Sequence, residues 1–154
     1  MSKPMLQGVF TALVTPFRAD GTWDREAFGR LVARQLEGGV QGLVPCGTTG
    51  ETPALEEREW EDIVALTIEL ARGRALVVPG TGTNNTAHSI HRTKRAKALG
   101  AEAALVVTPY YNKPNPDGLF QHFRWIAEQG GLPIVLYNVP GRTGLNAPPE
   151  LVLR

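Results

Sequence analysis

The sequence predicts a parallel α/β fold. Three observations carry that reading. Short apolar runs alternate with helical patterns at roughly thirty residues per step, the size of one βαβ unit. The apolar runs lack polar alternation, as strands buried on both faces should. The chemically distinctive residues fall just after those runs, at the end where parallel barrels and open sheets place their sites. No sequence repeat accompanies the alternation, so the periodicity is architectural.

The first strand is predicted within Gly8–Phe17, with Pro16 helping to end it. Ala19 to Thr22 reads as a turn. A helix is expected from about Asp24 to Leu36, with Phe28, Leu31, Val32 and Leu36 on one face, and Gly38-Gly39 closing it. The second strand, Leu43 to Cys46, leads into Gly47-Thr48-Thr49-Gly50-Glu51. A second helix is expected from about Leu55 to Ala71. Trp60, Ile63, Val64 and Ile68 recur at helical spacing, and Glu56, Glu57 and Glu59 suit the positive end of the helix dipole.

Ala75 to Pro79 is the third strand, and Gly80 to Asn85 is a turn rich in capping residues. The third helix covers about Thr86 to Leu99, closed by Gly100. Ala103 to Val107 is the fourth strand and opens into a Pro-rich loop, Thr108 to Pro116. Leu119, Phe123 and Ile126 mark a fourth helix, closed by Gly130-Gly131. Pro133 to Tyr137 is the fifth strand. Pro148-Pro149-Glu150 reads as the start of a fifth helix, with Pro in the first turn.

Composition bounds the function. The 154 residues approach the usual size of one domain, with 42% hydrophobic and 20% charged residues, as in a soluble globular chain. A net charge of +1 gives no reason to expect nucleic acid or an anionic membrane as partner. The densest basic run, His91 to Lys97, reads as a solvated helix face and lacks interleaved aromatics. One cysteine excludes an intrachain disulfide and suits a reducing compartment. No apolar run has the length of a membrane span, and the first five residues lack the apolar core of a secretory signal. A cytoplasmic protein is expected. No Gly-x-Gly-x-x-Gly opens a helix after the first strand, and no Walker loop is present.

Thr48-Thr49, flanked by glycines between a strand and a helix, suits a small anion held by hydroxyls and backbone N–H groups. Taken alone, it reads more readily as an ordinary βα turn whose threonines cap the helix, and later stretches must supply partners for the anion reading. Three post-strand loops carry Thr48-Thr49, Tyr110-Tyr111, and Tyr137 with Arg142. On one barrel mouth they would converge: hydroxyls and phenols to relay a proton, a guanidinium to hold a carboxylate. Any one tyrosine alone reads as a barrel-end aromatic with its hydroxyl in water.

Gly47-Thr48-Thr49-Gly50-Glu51, Thr108-Pro109-Tyr110-Tyr111-Asn112-Lys113-Pro114 and Tyr137-Asn138-Val139-Pro140-Gly141-Arg142-Thr143-Gly144 resemble the dihydrodipicolinate synthase (4-hydroxy-tetrahydrodipicolinate synthase) family. The resemblance runs from Gly8 to Leu151, with the motifs in the same order and at similar spacing. It implies a (β/α)8 TIM barrel followed by a small helical domain, assembled as a dimer of dimers. It implies a pyruvate-dependent aldolase-type lyase of diaminopimelate and lysine biosynthesis, with no cofactor and no metal. Residues 1–154 would supply about the first five βα units, the remaining strands and the helical domain being absent.

The resemblance also implies roles. Thr49 and adjacent backbone would bind the pyruvate carboxylate. Tyr137 would move protons to and from the Schiff base. Thr48 would connect it to Tyr111, which would reach into the neighbouring subunit's site. Arg142 would hold the carboxylate of aspartate semialdehyde. The related sialic acid lyases have Ser where Thr48 stands.

Two departures stand out. The family's nucleophilic Lys lies on a sixth strand, beyond Arg154. A Schiff-base Lys needs a desolvated pocket to lose its proton. Lys3, Lys94, Lys97 and Lys113 lie in a tail, on a surface helix and in a polar loop, so none is expected to be the nucleophile and the chain alone is expected to be inactive. Positions matching Asn84 and Tyr110 bind regulatory lysine in some members, but a Glu common there is His88 here, which argues against lysine feedback. His88 and His91 lack the further ligands a zinc site needs. Two alternatives stay open: another pyruvate aldolase of the same family, sialic acid lyase-like, or a non-catalytic half-barrel serving as an assembly partner.

Overall fold

The computed structural model describes residues 6–154. Lys3 and the first five residues, read above for a signal, lie outside them. Five short strands alternate with helices: β1 Phe10–Ala12, α1 Arg25–Glu37, β2 Gly42–Val44, α2 Glu57–Ala71, β3 Leu76–Val77, α3 Thr86–Leu99, β4 Ala104–Val107, α4 Pro116–Gly130 and β5 Ile134–Tyr137. Two single helical turns follow, α5 Pro140–Thr143 and α6 Pro149–Val152.

All pairings between strands are parallel. β1, β2 and β3 form one ladder, in register Phe10↔Gly42 and Gly42↔Leu76, and β4 pairs β5 from Ala104↔Ile134 to Val107↔Tyr137. The chain just after β3 joins the ladders. Gly80 bridges Leu105, the Leu105 amide donates to the Pro79 carbonyl at 2.9 Å, and the Thr81 amide donates to the Leu105 carbonyl at 3.0 Å. The strands therefore run in the spatial order one to five. This is a segment of an α/β barrel, with one edge at β1 and the other at β5.

Caps account for the helix starts. Asp24 accepts from the Ala27 amide at 2.9 Å, Asn85 from His88 at 3.0 Å, and Asn115 from Gly118 at 2.8 Å. Glu56 and Glu59 form a reciprocal capping box. The second helix thus starts two residues later than the periodicity predicts, because Thr52–Ala54 forms a separate 3₁₀ turn. Pro116, expected in the loop, is instead the first residue of α4, where a missing N–H costs nothing.

The core lies between strands and helices. Leu43, Val77 and Val106 pack against Phe28, Val32, Trp60, Ile63, Val64, Leu119 and Ile126, all at most 2% exposed. The strands are shorter than the apolar runs. β5 is only half-buried at all four positions, whereas the lack of polar alternation predicts burial on both faces. Its inner face looks into the barrel interior, which five strands leave open.

The basic run is also corrected. His91, Lys94, Arg95 and Lys97 are exposed, but Arg92 is 5% exposed and Thr93 is fully buried. A guanidinium enters an interior only when its charge and donors are met. Arg92 meets that condition through Glu57, with N–O distances of 2.8 and 2.9 Å, and through the Trp60 ring, 5.3 Å from its Cζ.

Candidate active site at the mouth of the barrel segment

β2 ends at Val44, and Cys46 follows with φ +54. That left-handed turn drives the backbone against the chain after β3. A Cβ on Gly80 would stand 2.0 Å from the Cys46 carbonyl oxygen, so only glycine fits there. The Gly80 amide donates to the Pro45 carbonyl at 2.9 Å, and its carbonyl accepts from Trp60 Nε1 at 2.9 Å. These bonds fix the floor under Thr48. Burial pushes the Cys46 thiol far above its ordinary pKa, which leaves it a neutral packing residue.

Thr48 opens the 3₁₀ turn Thr48–Gly50. Thr15 pins that turn by donating its hydroxyl to the Gly50 carbonyl at 2.8 Å, within the interior. Both Thr48 and Thr49 stay exposed at the mouth. Thr48 lines a cavity of about 220 Å³ together with Thr52, Tyr110, Val139, Arg142 and Thr143. A smaller cavity of about 20 Å³ adjoins it, where Thr48 meets Tyr137, Gly47, Gly80 and Leu105. The two cavities share Thr48, Thr52, Gly82 and Val107.

Tyr137 is the last residue of β5 and is half-buried. The loop beyond it is closed by Asn138, whose Nδ2 donates to Asn146 Oδ1 at 2.8 Å and whose Oδ1 accepts from the Ala147 amide at 3.0 Å. Buried Thr143 stiffens α5. Its Oγ1 lies 3.2 Å from Thr108 Oγ1 and 3.0 Å from the Leu145 carbonyl. Arg142, one residue earlier, is exposed and borders the larger cavity.

The adjacent tyrosines part company. Tyr110 is half-buried and lines the larger cavity. Tyr111 has φ +71 and is 90% exposed, so it projects away from this chain's own cavity. Asn112 anchors the loop, donating to the Asn84 carbonyl at 3.0 Å. Of the five residues singled out from sequence, Thr48 lines both cavities, Tyr137 only the smaller and Arg142 only the larger. Thr49 stands beside them without lining either cavity, and Tyr111 is not brought to them within this chain. Sequence reasoning missed Thr52, Val139 and Thr143 as walls and Thr15 and Arg92 as buttresses. A hydroxyl or valine inside a loop carries no periodicity that marks it.

Behind the mouth, Glu57 Oε2 accepts from Arg92 and lies 3.2 Å from His88 Nε2. Arg92 Nη1 is 3.5 Å from Thr52 Oγ1. Burial raises the Glu57 pKa, but hydrogen bonds and charge from Arg92 and then His88 outweigh it, holding the carboxyl below its ordinary value. His88 is therefore engaged with a carboxylate and is not paired with His91.

A parallel barrel segment with hydroxyls, a phenol and a guanidinium at the C-terminal ends of its strands has the layout of a barrel-enzyme site. Comparison with known proteins gives the particular family. The profile of the dihydrodipicolinate synthetase family matches residues 5–154. The 4-hydroxy-tetrahydrodipicolinate synthase of Maridesulfovibrio salexigens is 51% identical over 146 residues, 95% of this chain and 50% of that protein. The same-named protein of Thermomicrobium roseum is 53% identical over 150 residues, 97% of this chain and 49% of that one. Among solved structures, the chloride-inhibited dihydrodipicolinate synthase from Acinetobacter baumannii complexed with pyruvate superposes with a TM-score of 0.95. It is 45% identical, and the match covers 97% of this chain and 52% of that one. The synthase from Thermotoga maritima gives 0.92 at 51% identity, over 96% of this chain and 50% of its own. The chain belongs to the dihydrodipicolinate synthetase family, and it spans about half the length of the relatives it matches.

Proposed function

We propose that these residues form the N-terminal part of a 4-hydroxy-tetrahydrodipicolinate synthase, which condenses pyruvate with aspartate semialdehyde through a Schiff base. The observation that carries the reading is that Thr48 lines two adjoining cavities, the smaller bordered by Tyr137 and the larger by Arg142. Thr48 and Tyr137 line one small cavity, where a phenol and a hydroxyl can pass a proton to and from a reacting carbon. Arg142 borders the wider cavity, where an incoming carboxylate meets a planar, permanently charged fork. Thr49 and the neighbouring backbone hold the pyruvate carboxylate at the rim. In this reading Tyr111, almost fully exposed, serves the site of a neighbouring subunit in a dimer of dimers. Thr48 in place of Ser favours the synthase over a sialic acid lyase.

The nucleophilic lysine in this reading lies outside the 154 residues. Lys94 and Lys97 are exposed on α3 and Lys113 is exposed in the loop after β4. None is desolvated, as an amine that must lose its proton near neutral pH needs to be. The test is borohydride trapping with pyruvate followed by intact mass. It is run on this chain and on any longer product of the same gene. An adduct on the longer product alone is expected. An adduct on this chain would overturn the placement of the lysine, and no adduct on the longer product would overturn the synthase reading.

A further inference from the structure

Among the described residues, two arginine–glutamate bridges join α2 to α3, and they differ in placing. Arg95 meets Glu61 through Nε at 2.7 Å and Nη2 at 3.1 Å, on the outside of the fold. Such an exposed bridge adds little to stability. Arg92 meets Glu57 one turn earlier, and its side chain is buried. A buried ion pair can often be replaced by apolar side chains of similar volume at no loss of stability. Docking the two helices therefore leaves the Arg92 charge unexplained.

Its two remaining contacts lead to the mouth. The cation stands over the Trp60 ring, with Cζ 5.3 Å from the centroid. Trp60 is fully buried, and its Nε1–H donates to the Gly80 carbonyl at 2.9 Å. Gly80 is the glycine packed against the Cys46 carbonyl, just before Thr48. On the other side, Arg92 Nη1 lies 3.5 Å from Thr52 Oγ1, the outer limit of a hydrogen bond, and Thr52 lines both cavities. The segment between these points needs holding. Thr48–Gly50 and Thr52–Ala54 are separate 3₁₀ turns joined at Glu51, whose φ of +56 is left-handed. A non-glycine residue keeps such a conformation only where its surroundings fix it. Thr15 holds the segment from the interior through the Gly50 carbonyl, and Arg92 meets it from the helix layer.

We propose that Arg92 is a positioning residue. It sets the floor under Thr48 through Trp60 and Gly80, and it sets Thr52 directly, so that the hydroxyls of the mouth stand where protons can pass. The role in proton transfer rests on the synthase reading; the coupling from helix layer to mouth does not. Arginine suits this task because its Nε and Nη2 both donate to Glu57 Oε2, at 2.9 and 2.8 Å, which leaves Nη1 for Thr52. A lysine, with one nitrogen, cannot make these contacts together.

The test compares Arg92→Leu with Arg95→Leu, in this chain and in any longer product of the same gene. Leu replaces the buried arginine stem, and Glu57 keeps His88 beside it and stays partly exposed. In this chain, Arg92→Leu is expected to shift the NMR signals of the Thr48 and Thr52 amides and of the Trp60 indole proton. Exchange of that indole proton with heavy water should speed up by about threefold or more, as the clamp on the ring opens. Arg95→Leu is expected to do neither. In the longer product, Arg92→Leu is expected to lower kcat with aspartate semialdehyde about tenfold, with KM for pyruvate within about twofold, as for a displaced proton-transfer group. The solvent deuterium isotope effect on kcat should rise, which a mere loss of folded protein would not cause. Arg92→Lys keeps a cation and loses the fork. It should shift the Thr52 amide and lower kcat by about threefold, and it decides the matter where Arg92→Leu does not fold. Unmoved Thr48 and Thr52 amides would overturn the proposal. So would a pyruvate adduct with unchanged kcat, a fall in kcat no larger than the fall in adduct, or an equal fall in Arg95→Leu. No pyruvate adduct on the longer parent would remove the synthase reading; moved amides would then still support the coupling, and unmoved amides would overturn it.

Discussion

At the scale of single residues, the interior is where charge is decided. His122 on α4 is 4% exposed, its Nδ1 lies 2.9 Å from Thr86 Oγ1, and its Nε2 is buried without a partner. Burial disfavours the imidazolium and pushes its pKa down to about 4, from the usual 6.5. Above pH 6.5 the ring is neutral in the folded and unfolded chain, and nothing is lost. As pH falls below 6.5 the unfolded chain takes up a proton that the folded chain refuses until about pH 4. The protein therefore loses up to about 3 kcal/mol of stability across that window. Urea midpoints at pH 7 and pH 4.5 should separate more in the parent than in His122→Leu; equal separation would show that the ring does not resist protonation. His122 has no sequence signal of this kind. Arg92 is similar: inside a basic run it reads as solvent-facing, and only its position opposite Glu57 and Trp60 makes it interior.

At the scale of elements, the strand-to-helix turns do more than connect. The turn after β2 and the turn after β3 approach so closely that Gly80 has no room for a methyl group. The atoms that a Cβ would meet are backbone, held by the Gly80 amide bond to Pro45, and cannot swing aside. Gly80→Ala should cost about 3 kcal/mol or more, at the upper end of overpacking, and should loosen the floor beneath Thr48. Gly141→Ala is the matched control, because a Cβ there meets nothing within 4 Å and the residue lies in a helical turn. It should change stability by no more than about 0.5 kcal/mol. Thermal unfolding of the two variants compares them directly, and equal midpoints would refute the steric account. The sequence marks both glycines as turn residues without distinguishing them. The difference is a contact between two turns more than thirty residues apart.

At the scale of the whole molecule, five parallel strands present two edges and an open inner face. β1 and β5 each have one neighbour, and Val9 and Val14, flanking β1, are 62% and 50% exposed. A groove of about 530 Å³ between α4, β5 and α6 is lined by Phe120, Phe123, Ile134, Leu136 and Leu151. Unpaired edges beside apolar surface favour association. The 154-residue chain should therefore sediment with a concentration-dependent mass between about 1 and 100 μM, a range of ordinary weak association. A single monomeric species throughout would show that the edges are protected. Among the described residues, no helix is long and apolar enough to cross a membrane.

The sequence by itself determined the alternation of strands and helices, their order, and which strand ends and loops carry Thr48, Tyr137 and Arg142. Those features follow from periodicity, capping residues and glycine placement, which act over a few residues at a time. The tertiary structure alone decided that Tyr110 faces the cavity while Tyr111 turns outward, and that Arg92 is interior. It alone decided that the Lys113 side chain lies across Gly144. Each of these depends on where a second segment, distant in the chain, comes to rest. Local pattern holds no information about that contact until the strands have paired.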